Sequence, residues 1–496
     1  MSRIGPDRAN LDAILATAET DRERLNSNAL GAFSLTLLGV ASVVGAGIFV
    51  VTGDAAAHYA GPAVVISFVL AGIVAALTAL CYAELASSIP AAGSTYSYAF
   101  AAFGPFIGWF IGWDLLLEYL FAASTVAVGW SGYFVSLMES IGIHVPHALA
   151  NPPFGDDAGV VNLPAVAIML LTSGALWLGT RESAVANNSM VILKLSILLL
   201  VIGFGAFYVT SANLDPFLPA HAGGFGDFGW SGVLRGAGIV FFAYIGFDAV
   251  STAAAESRNP RRTIPIGLLG TVLISTVLYV AVGFILTGMV NYRQLGVADP
   301  ISVAIQAAGP NLDWLLRLVD VAAVVGLAST VLVTLYGQTR IFMRMSEDGM
   351  LPRRFGKVSE KRKTPQFSIV VCAMAGSAVA GLVPLSVLGE LISIGTLLAF
   401  IIVSSGVVVL RRQYPDLPRG FRVPALPLVA GAAIVSSLAL MATLPGATWI
   451  RLAVWALIGF CVYFFYARQH NSERMRAIAA EAPASPEPAP LVEGAG

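Results

Sequence analysis

A lysine stands where lysines are expensive. Lys194, in the stretch NNSMVILKLSILLL, lies about six residues into an apolar run, and an unpaired ammonium at membrane depth costs at least about 2.5 kcal/mol on insertion scales. It must face protein or water, or else snorkel to the nearer surface. Facing inward, a desolvated amine is a group that can take up and release a proton. Asp114 and Glu118 sit one helical turn apart in GWDLLLEY and share a face. Two carboxylates that close do not both ionise comfortably, so the pair is a second candidate carrier of a proton, the alternative being a polar clamp between helices. Asp248 comes two residues after Gly246 in AYIGFDAV, where a carboxylate can sense a ligand, gate a cavity, or cap a restarting helix. Glu84 is expected to hydrogen-bond at a helix end rather than to bind a ligand. Ser329, Thr330 and Thr334 either line a cavity or bond their own helix. His144 and His147 lack a second pair of ligands for zinc. Cys81, Cys372 and Cys461 have no metal-ligand spacing and read as small apolar fillers.

The elements that position these groups follow from composition. Of 496 residues, 57% are hydrophobic and 11% charged, whereas an ordinary soluble domain carries about 25% charged residues. The chain reads as an all-α integral membrane protein in a lipid bilayer. Apolar stretches long enough to span recur along it, and we place twelve, near 32–53, 62–83, 105–135, 161–179, 188–210, 231–253, 265–290, 314–338, 366–384, 387–410, 425–445 and 449–467. With both termini inside, alternate connections hold 23 of the 28 Lys and Arg residues. That bias predicts cytoplasmic termini in the plasma or inner cell membrane. The polar N-terminus has no apolar core of a cleaved signal, residues 13–20 are expected as a short interfacial helix, and the tail EAPASPEPAP reads as disordered. Net charge is -1, and no nucleic-acid role is indicated.

Two of the spans are interrupted. SVVGAGIFVVTG, residues 42–53, carries Gly45, Ala46 and Gly47 within the first, and FFAYIGFDAV brings Gly246 and Asp248 together within the sixth. Each glycine weakens a helix by about 1 kcal/mol relative to alanine. Matching breaks five helices apart, in spans of opposite direction, point to an inverted-repeat transporter. Backbone groups freed there cannot face lipid, so they line a cavity. The N–H groups of Ala46, Gly47 and Ile48 at a half-helix N-terminus suit a carboxylate, and carbonyls ending a half-helix, across 242–246, suit an ammonium. An α-amino acid carries both. The alternative for the GAG triplet alone is a small-residue packing seam.

The runs GVASVVGAGIFVVTG (39–53), CYAELASSIPAAGSTYSYAF (81–100), GWDLLLEY (112–119), FFAYIGFDAVSTAAAESRNPRRTIPIGL (241–268) and YGQTRIFMRMSEDGMLP (336–352) resemble the amino acid–polyamine–organocation superfamily, closest to its cationic amino acid transporter branch and bacterial relatives. The resemblance implies a LeuT-type fold. It would comprise a first five-helix repeat (31–210), an inverted second repeat (211–411), discontinuous helices one and six, and helices eleven and twelve (412–468), between a cytoplasmic segment (1–30) and a tail (469–496). It further implies alternating-access import of α-amino acids as a permease, with a substrate site at Gly45, Ala46, Gly47, Ile48, Phe242, Ala243, Tyr244, Ile245 and Gly246. Lys194 matches by placement a lysine that stands, in proton-coupled members, where sodium-coupled relatives bind an ion, touching helices one and eight. Lys194, Glu118 and Asp248 are therefore the expected proton-coupling groups of a symporter. Obligate exchange is the other transport mode open to such a chain. Where the superfamily shows two consecutive acids late in span six, this chain has Ala255 and Glu256. No cofactor, metal or Walker-type GxxxxGK[ST] motif is expected, and no nucleophile–base constellation marks an enzyme.

Overall fold

The computed structural model describes residues 31–89, 94–154, 158–179, 184–252, 257 and 259–470. The N-terminal segment with its expected helix at 13–20, the Pro-rich tail, Arg181, Ala255, Glu256 and Arg258 lie outside these residues. Among the described residues every regular element is a helix. The principal ones are α1 (Ala32–Val43), α2 (Val64–Ser88), α3 (Ser94–Phe103), α4 (Pro105–Ser140), α5 (Leu163–Leu178), α6 (Ala184–Gly205) and α7 (Gly229–Val240). They continue as α8 (Pro260–Met289), α9 (Pro300–Ala307), α10 (Asp313–Glu347), α11 (Gln366–Leu382), α12 (Leu385–Gln413), α13 (Leu426–Thr443) and α14 (Gly446–Val462).

Nine described helical runs are long and apolar enough to cross a membrane. Three shorter apolar helices, Ala32–Val43, Leu163–Leu178 and Gln366–Leu382, fall on the first, fourth and ninth expected spans. Gly47–Ser88 is one helical run of 42 residues, so the second half of expected span one is continuous with span two through a kink at Gly61 (φ 60°). That run contains His58, which the sequence reading leaves outside the spans. The burial pattern is that of a bilayer protein. Leu171, Leu178, Leu273, Val277, Val435 and Leu457 are exposed, while Glu84, Asp114, Glu118, Lys194, Asp320 and Glu390 are buried. Polar groups inside and large aliphatics outside is the arrangement a hydrocarbon solvent selects.

Both expected breaks are present. α1 stops at Val44, whose N–H donates to Val40 O at 2.9 Å and whose backbone turns extended. The helix restarts after Gly45 as a π-turn, Gly47–Val51. α7 tightens into a 3₁₀ turn, Phe241–Tyr244, followed by a turn over 245–248, before helix resumes at Ala249. Gly246 has φ 102°, a left-handed conformation that only glycine adopts without strain. A Cβ there would also lie 2.9 Å from Ser42 O.

Candidate functional site at the two helix breaks

The breaks are packed onto one another. A Cβ at Gly47 would come within 2.4 Å of the Ala243 Cα and 2.5 Å of its Cβ, so the small residue serves a backbone-to-backbone crossing. A tyrosine from α8 joins the same point. The Tyr279 hydroxyl lies 3.0 Å from Val43 O and 2.6 Å from Ala243 O, sharing its proton between a carbonyl from each break. Tyr244 turns the other way, its hydroxyl donating toward Phe68 O at 2.8 Å and Thr276 Oγ1 at 2.9 Å. Freed backbone groups in a dry bundle need such partners, because each unpaired one costs several kcal/mol. The sequence reading missed Tyr279, and its only signal was a polar hydroxyl within an otherwise apolar helix.

Lys194 reaches the first break from α6. Its Nζ is 3.4 Å from Val44 O and donates to Thr330 Oγ1 on α10 at 3.0 Å. The residue is 5% exposed, so it does not snorkel. Its aliphatic stem runs over Gly326, where a Cβ would be 2.7 Å from the lysine Cγ. An ammonium thus ties the broken end of α1 to α10, with Thr330 receiving it while back-bonded to Gly326 O at 3.0 Å.

A cavity of about 700 Å³ opens beside these groups, within the range of small-molecule sites. Its wall includes Lys194, Glu118, Asp248, Ile245, Gly246, Tyr119, Thr330 and Thr334, and it runs along α10 to Arg340, Arg344 and Glu347. Near that mouth the Tyr96 hydroxyl donates to Asp348 Oδ2 at 2.8 Å, and Arg344 pairs with Asp348 at 3.5 Å and Glu347 at 3.7 Å. All three expected proton-coupling residues therefore face one chamber, with Ile245 and Gly246 from the second break. Gly45, Ala46, Gly47, Ile48, Phe242, Ala243 and Tyr244 are not in its wall; Gly47 and Ala243 are covered by their own crossing. The Ile48 N–H is also engaged, donating to Gly45 O at 3.2 Å, which corrects the reading of it as a free donor.

Asp114 parts from Glu118. No described donor reaches either of its carboxyl oxygens, and it lies against α12, where a Cβ at Gly395 would be 3.1 Å from Oδ1. Glu84 is a helix-end partner as expected. Arg411 holds it bidentately, Arg419 approaches at 3.3 Å, and the Val423 N–H donates to it at 2.7 Å. His58 pairs with Asp54 at 3.0 Å.

Beside the restarted helix after the first break, Tyr133 on α4 donates to Phe49 O at 2.6 Å, and α9 packs against Gly47–Val51, with Ala298 just before it against Gly132 of α4.

Residues 30–467 match the family described as Amino acid permease. The chain is 44% identical to a branched-chain amino acid permease of Bacillus subtilis, over 92% of this chain and 96% of that protein. It is equally 44% identical to a methylthioribose transporter of the same organism, over 89% and 94% of the two chains. Identity to a vacuolar cationic amino acid transporter of Arabidopsis thaliana is 34%, over 78% of this chain and 64% of that one. These relatives are permeases and transporters rather than enzymes. With its many apolar helices, its paired breaks and a chamber beside them, the chain is a multi-pass membrane protein that belongs to the amino acid permease family of the amino acid–polyamine–organocation superfamily.

Proposed function

We propose that the protein is a proton-coupled importer of neutral α-amino acids with aliphatic side chains, working by alternating access on a LeuT-type pair of inverted five-helix repeats. The observation that carries the reading is the bridge from Lys194 to Val44 O and Thr330 Oγ1. It puts a fixed positive charge between the first break and α10, the place of an ion in sodium-coupled relatives of this fold. Protonated, the amine holds the two helices together with charge-assisted bonds; deprotonated, it loses a donor and its charge, the bonds weaken, and the break is freed to move. The similarity to branched-chain permeases supports aliphatic substrates, as do Leu115, Ala122, Ile245 and Val333 in the chamber wall.

The Arg340 end is cytoplasmic in this reading, since it carries Arg340, Arg344, Arg353, Arg354, Lys357, Lys361, Arg362 and Lys363. The termini share that side, in the cell membrane. The chamber then opens inward, and the crossing of Gly47 on Ala243 is the closed outer half of the pathway. Substrate carboxylate and ammonium would meet Gly45–Gly47 and 242–246 when that crossing parts.

Thermal stabilisation of purified protein against the twenty amino acids and methylthioribose tests the substrate class. A ligand at 100 times its Kd adds about 2.7 kcal/mol, and isoleucine, leucine and valine are expected to raise Tm most. Stabilisation by lysine and arginine alone, or by methylthioribose alone, would refute it.

A further inference from the structure

Two acids at the closed outer end, one fully buried and one half-buried, have no role in the mechanism above. Asp320, on α10, is fully buried. Its Oδ1 accepts from Ser302 of α9 at 2.5 Å and its Oδ2 from Ser136 of α4 at 3.0 Å. One carboxyl thus joins α9 to two long helices. Asp299, half-buried at the start of α9, is its acidic neighbour. Glu139 of α4 adds its charge to the field at Asp299. Among the described residues neither aspartate makes an ion pair with Lys, Arg or His. Of the nearby cations, Arg317, one turn before Asp320 on α10, is exposed, Arg293 lies over the rings of Phe228 and Tyr292, and His58 pairs with Asp54.

Closing this end therefore brings carboxyls together and buries them without a counter-charge. A buried charge of that kind is costly, and a proton removes it. We propose that Asp320 and Asp299, linked through Ser302, whose hydroxyl donates to the Asp320 carboxyl and whose N–H donates to the Asp299 backbone carbonyl at 3.0 Å, form a proton-binding site on the outer gate that is filled when the gate closes and emptied when it opens. Burial, and then the Asp320 carboxyl, push Asp299 up to about 7 in the closed form. The proposal rests on the orientation argued above, but not on Lys194. Protons taken from the outer medium on closure return to it on opening, so the site sets the balance of closed and open forms without adding a transported charge.

The test is labelling of Ala298→Cys by an impermeant thiol reagent, in a cysteine-free background in liposomes of fixed internal pH, with rates normalised to glutathione at each external pH. With closed-form affinity near 7 and an open form near the ordinary carboxylate value, the closed-to-open ratio rises about tenfold from external pH 8 to 6, so labelling falls by that factor. Asp299→Asn is expected to flatten the dependence. Ser302→Ala should raise labelling at every pH while keeping the slope. Proton flux per transported substrate should be unchanged in Asp299→Asn. An unaltered slope in both Asp299→Asn and Asp320→Asn would overturn the proposal. So would a loss of proton stoichiometry, which would make these residues coupling groups. Loss of stoichiometry in a Lys194 variant with this slope intact would bear on the coupling reading alone.

Discussion

Replacing Lys194 by methionine keeps the unbranched stem over Gly326 and removes only the charge and its donors. Each hydrogen bond from a charged group contributes about 1.5–3 kcal/mol. The bonds to Val44 O and Thr330 Oγ1 thus bind the broken end of α1 to α10 by about 3–6 kcal/mol in gross terms. Removing the ammonium also relieves a desolvation penalty of several kcal/mol, so the two terms nearly cancel in stability. The melting temperature of Lys194→Met should stay close to that of the parent, and the change should appear in coupling. An inward gradient of one pH unit supports about tenfold accumulation at one proton per substrate, since one unit is worth about 1.36 kcal/mol. Liposomes carrying Lys194→Met should fill with labelled isoleucine only to the outside concentration, while counterflow against internal isoleucine continues. Tenfold accumulation by the variant under the same gradient would refute the assignment. Glu118→Gln, also in the chamber wall, would then be the substitution to examine.

Gly326→Ala should force the lysine stem aside and lower proton-driven uptake, with overpacking of about 1–3 kcal/mol, measured as uptake against counterflow in one preparation. Gly47→Leu is expected to lower the melting temperature as well as transport, because the side chain meets the Ala243 backbone; an unshifted Tm with lost transport would restore an open carboxylate site there. Arg419→Ala, with its 3% exposed side chain against Glu84, leaves a buried charge undercompensated and should cost about 3–5 kcal/mol. Arg411→Ala, 30% exposed, should cost less, and detergent thermal melts rank the two. Asp299 is raised in the folded state, so its contribution to stability is complete below the ordinary carboxylate range and is lost as pH rises through about 7. Melting temperature should therefore fall more between pH 5 and 8 in the parent than in Asp299→Asn.

The parts of this site legible in the sequence are those whose residue type contradicts its surroundings. Lys194 in an apolar run, glycines in a spanning helix and Asp248 after Gly246 each announce a local exception, and the structure places Lys194, Glu118, Asp248 and Gly246 on one chamber. Partners that arise from packing alone leave no such mark. Tyr279 meets Val43 and Ala243 across separations of 236 and 36 residues, and Asp320 meets Ser136 across 184. Nothing local distinguishes Gly47, pressed on Ala243, from a glycine kept open for a ligand. The Asp114–Glu118 spacing fixes a shared helix face but not which neighbour fills it, and here α12 takes Asp114 while the chamber takes Glu118.

The central claim is that an amino acid enters with a proton. Liposomes enclosing a pH-sensitive dye, with no initial pH gradient and the membrane potential clamped, report it directly when isoleucine is added outside. The account predicts internal acidification that requires isoleucine, saturates with it and disappears in Lys194→Met. Isoleucine appearing inside only in exchange for internal amino acid, with the dye unchanged, would contradict it and identify an exchanger.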